Sequence, residues 1–145
     1  MAQGGRKIVI GVDESAFSEQ AFNFYVENFL REDDTLFLVH TPERYNFVDA
    51  STAVLHELYD EINKKVRALE NKYQEKIKAA GIKSSKFVTK QGGPGEAIVA
   101  VADKEKANMI VTGCRGMGIV RRTLLGSVSD YVLHHSHCPV LVCRK

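Results

Sequence analysis

Met109-Ile110-Val111-Thr112-Gly113-Cys114-Arg115-Gly116, then nine residues, then Gly126-Ser127, is the stretch on which the fold turns. Met109 to Thr112 is a short apolar run that reads as a buried strand. Val128 to His135 reads as a short helix. A strand, a glycine-rich loop and a helix start together form an arrangement suited to phosphate. Glycines let the backbone turn through positive φ and approach an anion with no Cβ in the way. The first amides of a helix have no internal partner and point out of its positive dipole end. Ser127 adds a hydroxyl and is placed to cap the helix. Two turns flanking a connector is the plainer reading of the same glycines. The pattern is neither a Walker A loop, which would need Gly-Lys-Ser/Thr, nor the tight Gly-x-Gly-x-x-Gly dinucleotide turn.

Working outward, Lys7-Ile8-Val9-Ile10-Gly11-Val12 is a β-branched run of the kind buried on both faces in a parallel sheet. Asp13 follows it, and Ser15 is a good N-cap for a helix from Ala16 to Leu30. Thr35 to His40 is a second buried strand, and Thr41 to Ser51 a loop. From Thr52 to about Ala80 the residues Leu58, Ile62, Val66, Leu69, Tyr73 and Ile77 recur at helical steps. The stripe is too short for a coiled coil and predicts a helix lying on a sheet, ended by Gly81. Ser85 to Lys90 is a weaker strand suited to an edge. Gly92-Gly93-Pro94-Gly95 is a turn opening a helix to about Glu105. Residues 127 to 136 form the last helix, and Pro139 to Cys143 the last strand. Regular strand–helix alternation predicts an α/β fold, a doubly wound parallel sheet with helices on both faces. Such sheets bind ligands beyond the C-terminal ends of their strands. Asp13, His40, Thr41 and Gly113 all fall at such ends.

Bulk properties agree with a globular chain. The 145 residues are 44% hydrophobic and 26% charged, which predicts one domain over residues 1–145 with a tail at 1–6. A net charge of +2 argues against a nucleic-acid partner. No apolar run approaches membrane-spanning length, and Met1 to Lys7 lacks a signal-peptide core. Cys114, Cys138 and Cys143 are an odd count that suits free thiols in the cytoplasm, with the nucleus left open.

Four segments together resemble the universal stress protein family: Ile8 to Ser15, the Gly-x2-Gly-x9-Gly-Ser spacing at 113–127, Leu124 to Ser129, and Cys138 to Val142. The likeness runs from Lys7 to Cys143. The glycine spacing resembles that of the family's ATP-binding branch. The resemblance implies an open five-stranded, Rossmann-like sheet of order 3-2-1-4-5. It also implies a homodimer paired through the Pro139–Cys143 strand, with ATP, carrying Mg²⁺, in the crevice. By matching position, Gly11, Val12 and Asp13 line the adenosine end, and the main chain of Thr41 meets the adenine edge. Thr112, Gly113, Arg115, Gly116 and Gly118 wrap the phosphates, and Gly126, Ser127, Val128 and Ser129 close the far side. Cys114, Asn108 and Thr41 depart from the usual serine, aspartate and valine.

Individual residues carry plainer readings as well. Asp13 suits a turn cap as well as a ligand contact. Arg121 and Arg122 suit a solvated loop. His134, His135, His137 and Cys138 lack the spacing of a structural zinc site and read as an exposed helix end before a small buried thiol. Cys114 reads as a small loop residue, with a redox role requiring exposure. Three functions follow: a nucleotide-dependent regulatory module of the stress response, a slow ATP hydrolase or phosphotransferase using the same site, and an adapter presenting the long helix.

Overall fold

The computed structural model describes residues 4–42, 51–114 and 126–144. Nine elements follow one another: β1 Lys7–Gly11, α1 Ala16–Asn28, β2 Thr35–His40, α2 Thr52–Ala79, β3 Ser84–Thr89, α3 Pro94–Glu105, β4 Met109–Gly113, α4 Ser127–His135 and β5 Val140–Cys143. All pairings are parallel, and the strand order is β3-β2-β1-β4-β5. The expected fold class and order are therefore observed. The third strand starts one residue earlier than expected, while Lys90 still donates its amide to the His40 carbonyl at 3.0 Å.

Strand alternation sorts the core into two layers. Successive strand residues point to opposite faces. Ile8, Ile10, Leu36, Leu38 and Val111 meet Ala21, Phe22 and Tyr25 of α1 and Leu69, Tyr73 and Ile77 of α2. Val9, Phe37, Val39 and Ile110 meet α3 and Val132 of α4 on the other face. This is why runs such as Ile8-Val9-Ile10 are apolar at every position rather than every second one. Phe22 and Tyr73 join the two helices of the first layer edge to face, with ring centroids 5.3 Å apart. Such a pair contributes roughly 1 kcal/mol beyond its buried area.

Helix ends follow local chemistry. Gly81, at φ +71°, ends α2: its amide donates to Lys78 and that of Ile82 to Ile77, the paired bonds of a left-handed glycine cap. Lys106 plays the same part after α3 at φ 55°, where its side chain costs what glycine would not.

Two expectations are corrected. The stripe of α2 does not lie wholly on the sheet. Leu69, Tyr73 and Ile77 are buried, whereas Leu58, Ile62 and Val66 are half-buried because the N-terminal half of the helix overhangs the strand ends. Arg6, read as part of a tail, is anchored. Its guanidinium grips Asp34 through two 2.9 Å bonds and donates to the Phe29 carbonyl and the Tyr25 hydroxyl. Tyr25 also donates to Asp34, as does the Arg31 amide. Burial pushes the Asp34 carboxyl up, but Arg6, Tyr25 and the Arg31 amide outweigh it and hold the carboxyl below its ordinary range. Burial and the Asp34 carboxylate push the Tyr25 phenol well up. Among the described residues no helix is long and apolar enough to cross a membrane.

Candidate functional site

Strand order reverses between β1 and β4, and a crevice of about 630 Å³ opens beyond the C-terminal ends of β1, β2 and β4. Its floor is glycine. A Cβ on Gly113 would stand 2.4 Å from the Phe17 carbonyl oxygen, so β4 can run up to the start of α1 only with glycine there. A Cβ on Gly11 would meet the tip of Ile98 at 2.6 Å.

The strand ends are tied together beside that floor. The Val12 amide donates to the Val39 carbonyl at 2.9 Å. Buried His40 donates from Nδ1 to the Val12 carbonyl, also at 2.9 Å, which assigns the proton to that nitrogen. Thr41 then enters the crevice directly after a rigid strand end.

Asp13 and Ser15 close the start of α1. Asp13 Oδ1 accepts the Ser15 amide at 2.8 Å. Ser15 Oγ accepts the Ser18 amide as the N-cap, and Ser18 Oγ bridges the Asp13 amide and carbonyl. The cap reading of Asp13 is thereby realised, while its side chain still lines the crevice.

The start of α4 is built differently. Gly126, rather than Ser127, holds the N-cap position, with extended backbone at φ −64° and ψ 159° and no side-chain cap bond. Ser127 is the first helical residue, so its hydroxyl does not perform the expected capping. Asp130 closes the first turn onto Gly126. The amides of Ser127, Val128 and Ser129 thus lack intrahelical acceptors, and all three residues line the crevice. Ser129 Oγ donates to the Gly113 carbonyl at 3.1 Å, pinning α4 to the end of β4. Among the described residues nothing lies within 4 Å of a Cβ built on Gly126. Glycine at this position leaves open space that the described fold does not use. The start of α3 offers less, because Pro94 at its first position has no amide hydrogen.

The structure therefore brings together Gly11, Val12, Asp13, Thr41, Thr112, Gly113, Gly126, Ser127, Val128 and Ser129. Arg115, Gly116 and Gly118, like Arg121 and Arg122, lie outside the described residues. Sequence reasoning missed one wall, that of Ile62, Lys65 and Val66 on the overhanging half of α2. Their spacing of three and one placed them on one helix face, but that face was taken as core.

Cys114 is buried at 5% exposure, its amide held by the Cys143 carbonyl at 2.9 Å, so the exposure a redox role requires is missing. The histidines have local partners. His135 stacks on Tyr131, His137 Nδ1 lies 3.0 Å from Asp103, and His134 Nε2 lies 3.3 Å from Asp130. Among the described residues no three His, Cys, Asp or Glu side chains converge as a metal site.

Comparison with known proteins gives a consistent result. A family model described as the universal stress protein family matches residues 5–144. A protein of Staphylococcus aureus (strain USA300) described as a universal stress protein is 33% identical over 145 residues, spanning 96% of this chain and 84% of that one. Among solved structures, a universal stress protein in complex with cAMP is 26% identical and covers 97% of each chain, with a TM-score of 0.72. A universal stress protein family member from Arabidopsis thaliana, solved with AMP bound, shares the fold. Its TM-score is 0.74 at 20% identity, over 97% of this chain and 92% of that one.

Proposed function

Since this chain belongs to the universal stress protein family, we propose that its crevice binds an adenine nucleotide and that the protein acts as a nucleotide-dependent regulatory module. One observation carries the reading. Among the described residues the start of α4 leaves three consecutive amides without acceptors, beside a glycine that no described contact requires. That is the recognition chemistry of a phosphate at a helix N-terminus. The related structure in complex with cAMP supports an adenine nucleotide as the class of ligand.

Within that class ATP is the nucleotide we assign, placing this chain in the ATP-binding branch. The amides of α4 face its phosphates, and the Thr41 main chain faces its adenine. Mg²⁺ arrives on the triphosphate, because that ion favours phosphate oxygens with one or two carboxylates. Asp13 is the carboxylate placed to meet it. Nucleotide occupancy is read by partners through a homodimer, paired along the edge strand β5, whose Val140–Cys143 residues are all half-exposed. Three cysteines with no disulfide among the described residues suit a reducing compartment, the cytoplasm.

Calorimetric titration with Mg·ATP tests the assignment. The unaltered chain binds, and Gly126→Val loses at least tenfold in affinity while keeping its circular dichroism, since the branched side chain enters space that no described residue fills. Equal affinity in the two proteins overturns the site. A mass corresponding to one protomer in light scattering overturns the dimer.

A further inference from the structure

This inference rests on the nucleotide reading above and concerns which nucleotide the crevice prefers. The start of α4 offers neutral amides, and the start of α1 is closed by its own side chains. Among the described lining residues the formal charges are the carboxylates of Asp13 and Glu14 and the ammonium of Lys65. Two carboxylates repel a polyanion, so the one cation among the described lining residues bears directly on what can enter.

Lys65 differs from the lysines further along its helix. Lys72 and Lys76 both pair with Glu19 of α1, at 2.9 and 3.1 Å. Lys65 lies two turns nearer the N-terminus, roughly 10 Å along the axis. It makes no ion pair among the described residues. Lys65 is itself exposed, and it lines the crevice beside Ile62 and Val66. α2 covers the opposite face of the sheet from α4. Lys65 and the start of α4 therefore line the crevice from helices on opposite faces of the sheet.

We propose that Lys65 is a specificity-determining residue whose ammonium pairs with the outer phosphates, so that α2 selects nucleoside triphosphate over monophosphate. The neutral amides of α4 hold the chain, and Lys65 responds to the charge added at its far end. The experiment titrates ATP, ADP, AMP and adenosine into the unaltered chain, Lys65→Met and Lys65→Arg, at low and moderate salt. Methionine keeps the stem and the helix propensity and removes only the charge.

The expected result is graded. Lys65→Met weakens ATP about tenfold, the size of one charge-assisted contact. It weakens ADP and AMP progressively less and leaves adenosine unchanged. Lys65→Arg restores most of the ATP affinity, and the salt dependence for ATP becomes shallower in the methionine variant. An equal loss for all four ligands overturns the inference and assigns Lys65 a packing role. So does no loss for any. If the unaltered chain binds none of the four, the nucleotide reading falls and this inference with it. Intact binding by the unaltered chain with an unaffected Lys65→Met overturns this inference alone.

Discussion

Two helices begin at the crevice from adjoining central strands, and they begin in opposite ways. α1 leaves β1 through Asp13, Ser15 and Ser18, whose side chains take up the turn amides of Asp13 and Ser15 and the helical amide of Ser18. α4 begins at Gly126 with no side chain to do so. Both helix starts carry the same partial positive charge. Among the described residues, α1 has spent its Ser18 amide on Ser15, whereas none of the first three amides of α4 has an acceptor. Helix polarity alone therefore does not make an anion site, and what decides is whether the chain has spent the terminal amides on itself. The contrast extends along α1, which is also held at its far end by Arg6 through the Phe29 carbonyl and Tyr25. α1 is a fixed strut, and α4 is a strut with an open end.

The largest effect is expected where the two helices meet the same residue. Gly113 lies under the start of α1 by close approach to Phe17, and its carbonyl receives Ser129 of α4. Gly113→Val drives a branched side chain into backbone and costs about 3 kcal/mol or more, enough to lose cooperative thermal unfolding. A variant that melts like the parent would show that the two helix starts are not joined through this glycine.

Next comes the anchoring of α1. Arg6→Met leaves the Asp34 carboxylate buried without its main partner and costs about 3 kcal/mol at neutral pH, at the low end because the Arg6 side chain is 22% exposed. Folding holds the Asp34 pKa below the ordinary value of 3.8. The stabilisation is therefore fully present above pH 3.8 and lost as pH falls through the depressed value, where the carboxyl becomes neutral in both states. Urea titrations across that range should show the gap between parent and variant closing as the solution is acidified. A gap that stays constant would mean the ion pair is not its source.

A third variant makes α4 resemble α1. Gly126→Asp supplies an internal cap in a backbone conformation any residue adopts. It should stabilise the unliganded protein by a few tenths of a kcal/mol while weakening ATP at least tenfold, or about 1.4 kcal/mol. Stability and affinity moving together rather than apart would break the comparison. The converse change at α1 is the smallest. Ser15→Ala removes the cap and costs about 1 kcal/mol of stability by denaturant titration. ATP affinity should stay within about twofold, since the Ser18 amide that Ser15 holds is not one the nucleotide reading assigns to the ligand.

Much of this was legible in the chain. Ile8-Val9-Ile10 and Leu36-Phe37-Leu38-Val39, apolar at every position, announced strands covered on both faces, and Ser15 and Gly81 marked helix ends where they were found. The ten described site residues named from the sequence do line one crevice. Lys65 was not legible. The Leu58–Ile77 stripe repeats evenly, and nothing in an even repeat marks where the sheet beneath it stops. Nor did Ser127 betray that Gly126 would hold the cap position, because one residue of phase depends on how the chain returns from β4.

The sequence by itself determined the alternation of strands and helices, the two-sided burial of the sheet and the glycine spacing, because each is a periodicity or a backbone preference within a few neighbouring residues. Only the tertiary structure decided that Gly113 must make room for Phe17, that Arg6 secures Asp34 across 28 residues, and that half of α2 overhangs the strand ends with Lys65 at the opening. Those are distances between elements distant in the chain. They are set by the length of each crossover and the point at which the strands end, and no local pattern encodes either.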